Sequence, residues 1–183
     1  WPVGEHDDPM FWWSLDPRAI LELDALHVSR SLRRTLRSGR FEASCDRDFA
    51  GVIGGCAEGH GRRGGTWITP RVIRAYTRLF ELGHAHSVEV WHDGRLAGGI
   101  YGVAIAGLFA AESMFYRMRD ASKVALVHLV THLRSRGYRL LDIQQLTSHM
   151  ARLGALEIPR REYLRRLARA LAAPTTFGRS LEH

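Results

Sequence analysis

Apolar residues along this chain change their spacing several times, and each change marks an element. In "RVIRAYTRLFELG", Val72, Ile73, Tyr76, Leu79 and Phe80 recur at helical intervals, which predicts a helix. Thr69 is placed to cap it, Pro70 suits its first turn and Gly83 ends it. Farther on, Val88 and Val90 alternate with polar neighbours, and Asp93-Gly94 is a two-residue hairpin signal. The run "HSVEVWHDGRLAGGIYGVAIAGLFAAESMFY" therefore predicts a three-stranded β-meander with a second turn at Ala106-Gly107. Gly98, Gly99 and Gly102 inside it mark a bulge or a close backbone approach. From Ala121 to Arg136 the spacing is helical again. Val124, either Leu126 or Val127, Val130 and Leu133 face inward, and Gly137 is the stop. "YRLLDIQ" follows as a strand, "QLTSHMARLGA" as a short helix ended by Gly154, and "IPRREYLRRLARALAAP" as a last helix with Pro159 near its start.

Before the meander the pattern is mostly helical. "VSRSLRRTLRSG" predicts a helix capped by Ser29, with Leu32 and Leu36 on one face and Gly39 at its end. "FEASCDRDFAGVIGGCA" reads as a short strand and a helical turn or two, "EGHGRRGG" as a loop, and "FWWSLDPRAIL" as an extended apolar segment with a turn at Asp16-Pro17. Helices, three strands, a helix, a returning strand and further helices give an α+β fold, a mixed β-sheet flanked by helices. That order matches the core of GNAT-type acyltransferases, a likeness of fold that does not fix function. Residues 29–180 are expected to form this domain. Residues 1–28 are read as the remnant of an N-terminal subdomain with its linker, and 181–183 as a tag remnant.

Composition narrows the picture little. The 183 residues are 45% apolar and 25% charged, ordinary for a globular chain with a real core. No run approaches a membrane span, and without a signal peptide a cytoplasmic location is expected. Two cysteines, Cys45 and Cys56, are too few for a disulfide framework or a zinc site and read as buried thiols. The histidines of "HAH" at 84–86 are at best half a metal site, so no metal is expected. The formal charge of +7 comes chiefly from arginine and is compatible with a nucleic-acid partner. Arginines cluster at 30–40, 62–63 and 160–169, where they are either solvated helix faces or phosphate contacts.

Three polar residues stand out in apolar company. Glu112 lies in "LFAAESMFY". A carboxylate in a partly dry cleft attracts an ammonium or guanidinium far more strongly than in water, but a salt bridge to Arg117 or Arg119 would also account for it. Asp142 and Gln144 are two apart in "LDIQ", so alternation puts both on one strand face and Ile143 on the other. Between Phe115 and Lys123 there is no glycine, which argues against the phosphate-cradling loop that a CoA donor needs.

The stretches "GTWITPRVIRAYTRLFELGHAHSVEVWHDGRLAGGIYG", "FWWSLDPRAIL", "AESMFYRMRDASKVAL", "LDIQ" and "RLGALEIPRREYL" together resemble the leucyl/phenylalanyl-tRNA–protein transferases. The resemblance covers nearly the whole chain. It implies a GNAT-like fold without a cofactor. It also implies transfer of leucine or phenylalanine, and on this chain's smaller pocket residues methionine, from aminoacyl-tRNA to the α-amino group of proteins that begin with Arg or Lys, marking them for degradation. Carried residue by residue, it implies that Glu112 recognises the cationic acceptor and that Asp142 polarises Gln144, which assists the attacking amine. Because a neutral amide is a weak base, Gln144 is expected to orient the amine rather than to take its proton. The resemblance further implies a donor side-chain pocket of Ile100, Phe109, Met114, Leu129, Leu133 and Leu141, and contacts of Trp1, Trp67 and Tyr76 with the terminal adenosine. Apart from the resemblance, each pocket residue reads more often as ordinary core, and so does Tyr76 on the apolar face of its helix, whereas Trp67, just before a helix start, reads as the more accessible. A CoA-dependent GNAT-type N-acetyltransferase and a noncatalytic RNA-binding module are the rival readings.

Overall fold

The structure is a computed structural model that describes residues 2–3, 11–12, 14–59, 66–178 and 180–181. Strands β1 (Pro2–Val3) and β2 (Phe11–Trp12) pair as a two-stranded ribbon. The chain then supplies β3 (Arg18–Leu21), α1 (Arg30–Arg37), β4 (Glu42–Cys45), α2 (Phe49–Glu58), α3 (Pro70–Glu81), β5 (Ala85–His92), β6 (Arg95–Ile105) and β7 (Leu108–Tyr116). It closes with α4 (Ala121–Ser135), β8 (Leu140–Gln144), α5 (Ser148–Arg152), β9 (Ala155–Ile158) and α6 (Arg160–Leu171).

Seven strands form one sheet in the order β4-β5-β6-β7-β8-β3-β9. Every neighbouring pair is antiparallel except β7 and β8, which are parallel and joined through α4. The fold is thus the expected α+β arrangement, a meander, a helix and a parallel return. The capping signals act as predicted. Thr69 Oγ accepts from Val72 N–H with Pro70 in the first turn, and Ser29 Oγ accepts from Leu32 N–H. Asp93 and Gly94 both adopt positive φ, at 49° and 70°, as the tight hairpin between β5 and β6 requires.

Three elements differ from expectation, and one of them, β9, is an edge strand where none was predicted between the short helix and the last one. β3, expected only as an extended segment, lies inside the sheet between β8 and β9. The turn or two expected before Gly59 is a ten-residue helix, α2. Its glycines lower helix propensity, but they admit close packing: a Cβ on Gly55 would lie 2.6 Å from the Phe115 ring. Tertiary contact therefore outweighs propensity here.

Alternation along the strands divides the core. Leu21, Phe109, Leu141 and Ala155 pack with α4 in one cluster, while Ile20, Leu108, Leu140 and Ile158 pack with Tyr163 and Ala170 of α6. Phe49, Val52 and Ile53 of α2 and Val72 and Tyr76 of α3 form a third cluster with Tyr101 and Phe115. Among the described residues, no helix is long and apolar enough to cross a membrane.

Candidate functional site

β7 and β8 are paired only from Leu108 to Ala110, against Leu140 to Asp142. Beyond that point they diverge, and a cavity of about 420 Å³ opens between them. This is within the size range of small-molecule sites, at the carboxyl ends of parallel strands where such clefts form. Its described walls bring Glu112 and Gln144 together with apolar Ile100, Met114, Leu126, Ile143 and Met150. Trp67, Ser113 and His149 complete its edges.

A bulge places Glu112 there. Tyr101 faces Ser113 and Gly102 faces Ala111, which leaves Glu112 as the extra residue on β7. A Cβ on Gly102 would meet the Ala110 carbonyl oxygen at 2.3 Å, so only glycine allows the strands to approach this closely. The bulge breaks the in-out alternation and turns a carboxylate into the cleft. Glu112 is half-buried. Burial raises its carboxyl above the ordinary range, while hydrogen bonds from Gln144 and Tyr76 act the other way. The alternative partners are occupied elsewhere. Arg117 pairs with Glu58 at 3.1 Å and Arg119 approaches Asp120 at 3.9 Å. No Arg or Lys pairs with Glu112 among the described residues.

Gln144 reaches the cavity by a second irregularity. Its φ is +64°, and Gln145 N–H bonds the Ile143 carbonyl at 2.7 Å. This is a γ-turn of the rare positive-φ kind, a strained conformation that neighbours must hold. Strict alternation would place Ile143 and Gln144 on opposite faces, yet both border the cavity. Gln144 Nε2 donates to Glu112 Oε2 at 3.1 Å.

Asp142 is 1% exposed and lies away from the cavity wall. It accepts Arg18 Nε at 3.1 and 3.2 Å and Nη2 at 2.8 Å, and Tyr163 OH at 2.8 Å. Its Oδ1 also accepts the backbone N–H of Gln144 at 2.9 Å. The expected contact between Asp142 and the Gln144 side-chain amide is therefore replaced by a contact with the backbone. The reason is the turn, which sends the amide toward Glu112 instead.

The residues expected to line a donor pocket divide in two. Ile100 and Met114 border the cavity. Phe109, Leu129, Leu133 and Leu141 are fully buried core residues behind it, because apolar periodicity identifies an inward face but not which inward residue fronts a void. Trp67 borders the cavity just before α3. Tyr76 lies in the core with its hydroxyl bonded to Glu112, and burial pushes that hydroxyl's pKa up. Trp1, Arg62 and Arg63 lie outside the described residues. Sequence reasoning missed Leu126, Ile143, His149 and Met150. A reader could have found them only by knowing that β7 and β8 diverge. Burial, and then the nearby positive charges of Lys123 and Arg152, lower the His149 pKa. Among the described residues, no group of three or more His, Cys, Asp or Glu could hold a metal ion.

Away from the cavity, Arg30, Arg34 and Arg37 of α1 are exposed, and none forms an ion pair among the described residues. The arginines of α6 are partly neutralised: Arg165 and Arg166 pair with Glu162, and Arg166 also with Glu22.

Comparison with known proteins matches residues 20–168 to the sequence model of a family described as Leucyl/phenylalanyl-tRNA protein transferase. A leucyl/phenylalanyl-tRNA–protein transferase of Nitratidesulfovibrio vulgaris (strain DP4) is 54% identical over 173 residues, covering 94% of this chain and 74% of the relative. One from Ruegeria pomeroyi is 50% identical over 184 residues, covering 99% and 85%. Among solved structures, a GCN5-related N-acetyltransferase from Kribbella flavida aligns with a TM-score of 0.48 and 12% identity, covering 78% of this chain and 55% of that one.

Proposed function

This chain belongs to the leucyl/phenylalanyl-tRNA–protein transferase family and is an aminoacyltransferase, and we propose that it joins leucine or phenylalanine from tRNA to the α-amine of proteins that begin with Arg or Lys. The observation that carries this reading is Glu112, a half-buried carboxylate on a largely apolar cavity wall that forms no ion pair with any Arg or Lys among the described residues. In that setting a cationic head group gains far more than it would in water.

The reaction is aminolysis of an ester. The acceptor α-amine, with an ordinary pKa near 8, is partly neutral at physiological pH. It attacks the ester carbonyl, the C–N bond forms, and the bond to the ribose oxygen breaks. That oxygen leaves with one proton, and any proton of the ammonium form is lost to solvent before attack. The protein's task is to hold amine and carbonyl in line. Gln144 accepts a hydrogen bond from the amine through its amide oxygen, while its Nε2 remains bonded to Glu112. Ile100, Met114, Leu126, Ile143 and Met150 surround the donor side chain. Trp67 at the rim stacks on the terminal base, a contact of about 1–3 kcal/mol. The exposed arginines of α1, which form no ion pair among the described residues, follow the phosphate backbone of the acceptor stem. The product carries a new N-terminal residue that marks it for degradation.

A CoA donor fits less well. At the start of α4, where a pyrophosphate would need glycine-borne N–H groups, the chain has Asp120, paired to Lys123 at 2.7 Å. Radiolabelled Leu-tRNA and radiolabelled acetyl-CoA offered to a peptide starting with Arg decide between the donors. Leucine transfer is expected. Acetyl transfer, or binding without transfer, contradicts the reading.

A further inference from the structure

We propose that Arg18 and Tyr163 are positioning residues for the transfer reaction, acting through Asp142 to fix the corner at which Gln144 meets Glu112. This rests on the reading of the cavity given above. Asp142 Oδ2 is held by two donors from elements remote in sequence, Arg18 Nη2 of β3 and Tyr163 OH of α6, both at 2.8 Å. With Oδ2 fixed, the carboxylate cannot rotate, and Oδ1 faces the Gln144 N–H at 2.9 Å. A side-chain oxygen bonded to the backbone two residues on is an Asx-turn. Here it supports the γ-turn that keeps Gln144 at a φ of +64°.

A residue with a side chain does not stay in that region unless its surroundings over-determine it. The cluster supplies that constraint. Asp142 is not part of the cavity lining, and its contact with Gln144 is to the backbone N–H rather than to the side-chain amide. Its effect on chemistry passes through backbone geometry to the contact of Gln144 Nε2 with Glu112 at 3.1 Å. Strands β3 and β8, paired across more than a hundred residues of sequence, and helix α6 thus meet at one carboxylate. A shift of the corner by a fraction of an ångström would misalign the amine while leaving the donor cavity intact.

The test is Tyr163→Phe, which removes one hydroxyl and leaves Arg18 to neutralise Asp142, with Arg18→Lys beside it. Lysine keeps the charge but not the fork. Leucine transfer to an Arg-starting peptide is measured as kcat and KM, with folded fraction followed by circular dichroism. We expect Tyr163→Phe to lower kcat about tenfold with KM for Leu-tRNA unchanged, and Arg18→Lys to lower it further. In a Gln144→Ala background, Tyr163→Phe should have no additional effect, because it acts through that residue. An unchanged kcat, a kcat lost only in step with folded protein, or losses that multiply in the double variant would each overturn the assignment. If the parent chain transfers no leucine, the functional reading fails before any variant is compared.

Discussion

Glu112 and Gln144 each stand where a strand departs from regularity, one at a bulge and the other at a γ-turn. Both departures carry a cost, and in both a polar group is brought into an apolar cleft. For Gln144 we expect Gln144→Ala to lower kcat about a hundredfold, on the scale of losing one well-placed polar contact to the reacting groups. Affinity for Leu-tRNA should stay within about twofold, since the proposed base stacking and phosphate contacts do not involve Gln144; filter binding and single-turnover kinetics measure the two separately. For Glu112 the expectation concerns stability as well. Burial holds its carboxyl above the ordinary value of 4.5, so the native state binds that proton more tightly than the unfolded chain. Stability from this group is then highest at low pH and falls as pH rises from 4.5 toward the raised value. Glu112→Gln removes that cost. Its melting temperature should exceed the parent's at neutral pH, with the difference closing below about pH 4. At this scale the sequence was legible in part. The types Glu112, Asp142 and Gln144 could be singled out, but not their geometry. Alternation predicted Asp142 beside the Gln144 side chain, and no pattern of residues reveals that a turn intervenes.

Elements with local signals were the readable ones. Thr69 and Pro70 opened α3, Asp93-Gly94 closed the first hairpin, and Gly137 followed α4, because each signal acts within a few residues of itself. β3 and β9 were not readable as sheet members. Each has four residues, and β3 finds β8 only across most of the chain. Among the helices, α1 carries exposed arginines that have no carboxylate partner among the described residues, while two of those on α6 are tied to Glu162 and Glu22. If α1 tracks the acceptor stem, replacing Arg30, Arg34 and Arg37 together with Gln removes up to three phosphate contacts. The slope of log affinity against log salt should then flatten by about two units, read from binding at several salt concentrations. An unchanged slope would assign the RNA to another face. Leu32 secures α1 to the core, so these exposed changes should leave the fold intact.

Across the whole molecule, segments near both ends of the chain converge on its centre. β3 enters the sheet beside β8, α6 packs beneath it, and Arg18 and Tyr163 both close on Asp142. With Arg18 only 12% exposed at its side chain, Arg18→Ala leaves a buried carboxylate without its cation. We expect a loss of about 3–5 kcal/mol, measured by urea denaturation. The cavity makes a further expectation at this scale. Apart from Trp67 at the rim, its apolar described walls are aliphatic or thioether groups, and a methylene difference in such a site is worth only about 1–3 kcal/mol. Leucine, phenylalanine and methionine offered together on tRNA should therefore all be transferred, with modest preference. On the proposed function, Glu112 captures the positive head of the acceptor inside this cavity. The most direct measurement compares kcat/KM for a peptide beginning with Arg and one beginning with citrulline, its neutral counterpart, in the parent and in Glu112→Gln. We expect a large preference for Arg in the parent that collapses to near unity in the variant; a preference that survives the substitution would show that Glu112 does not recognise the acceptor's charge.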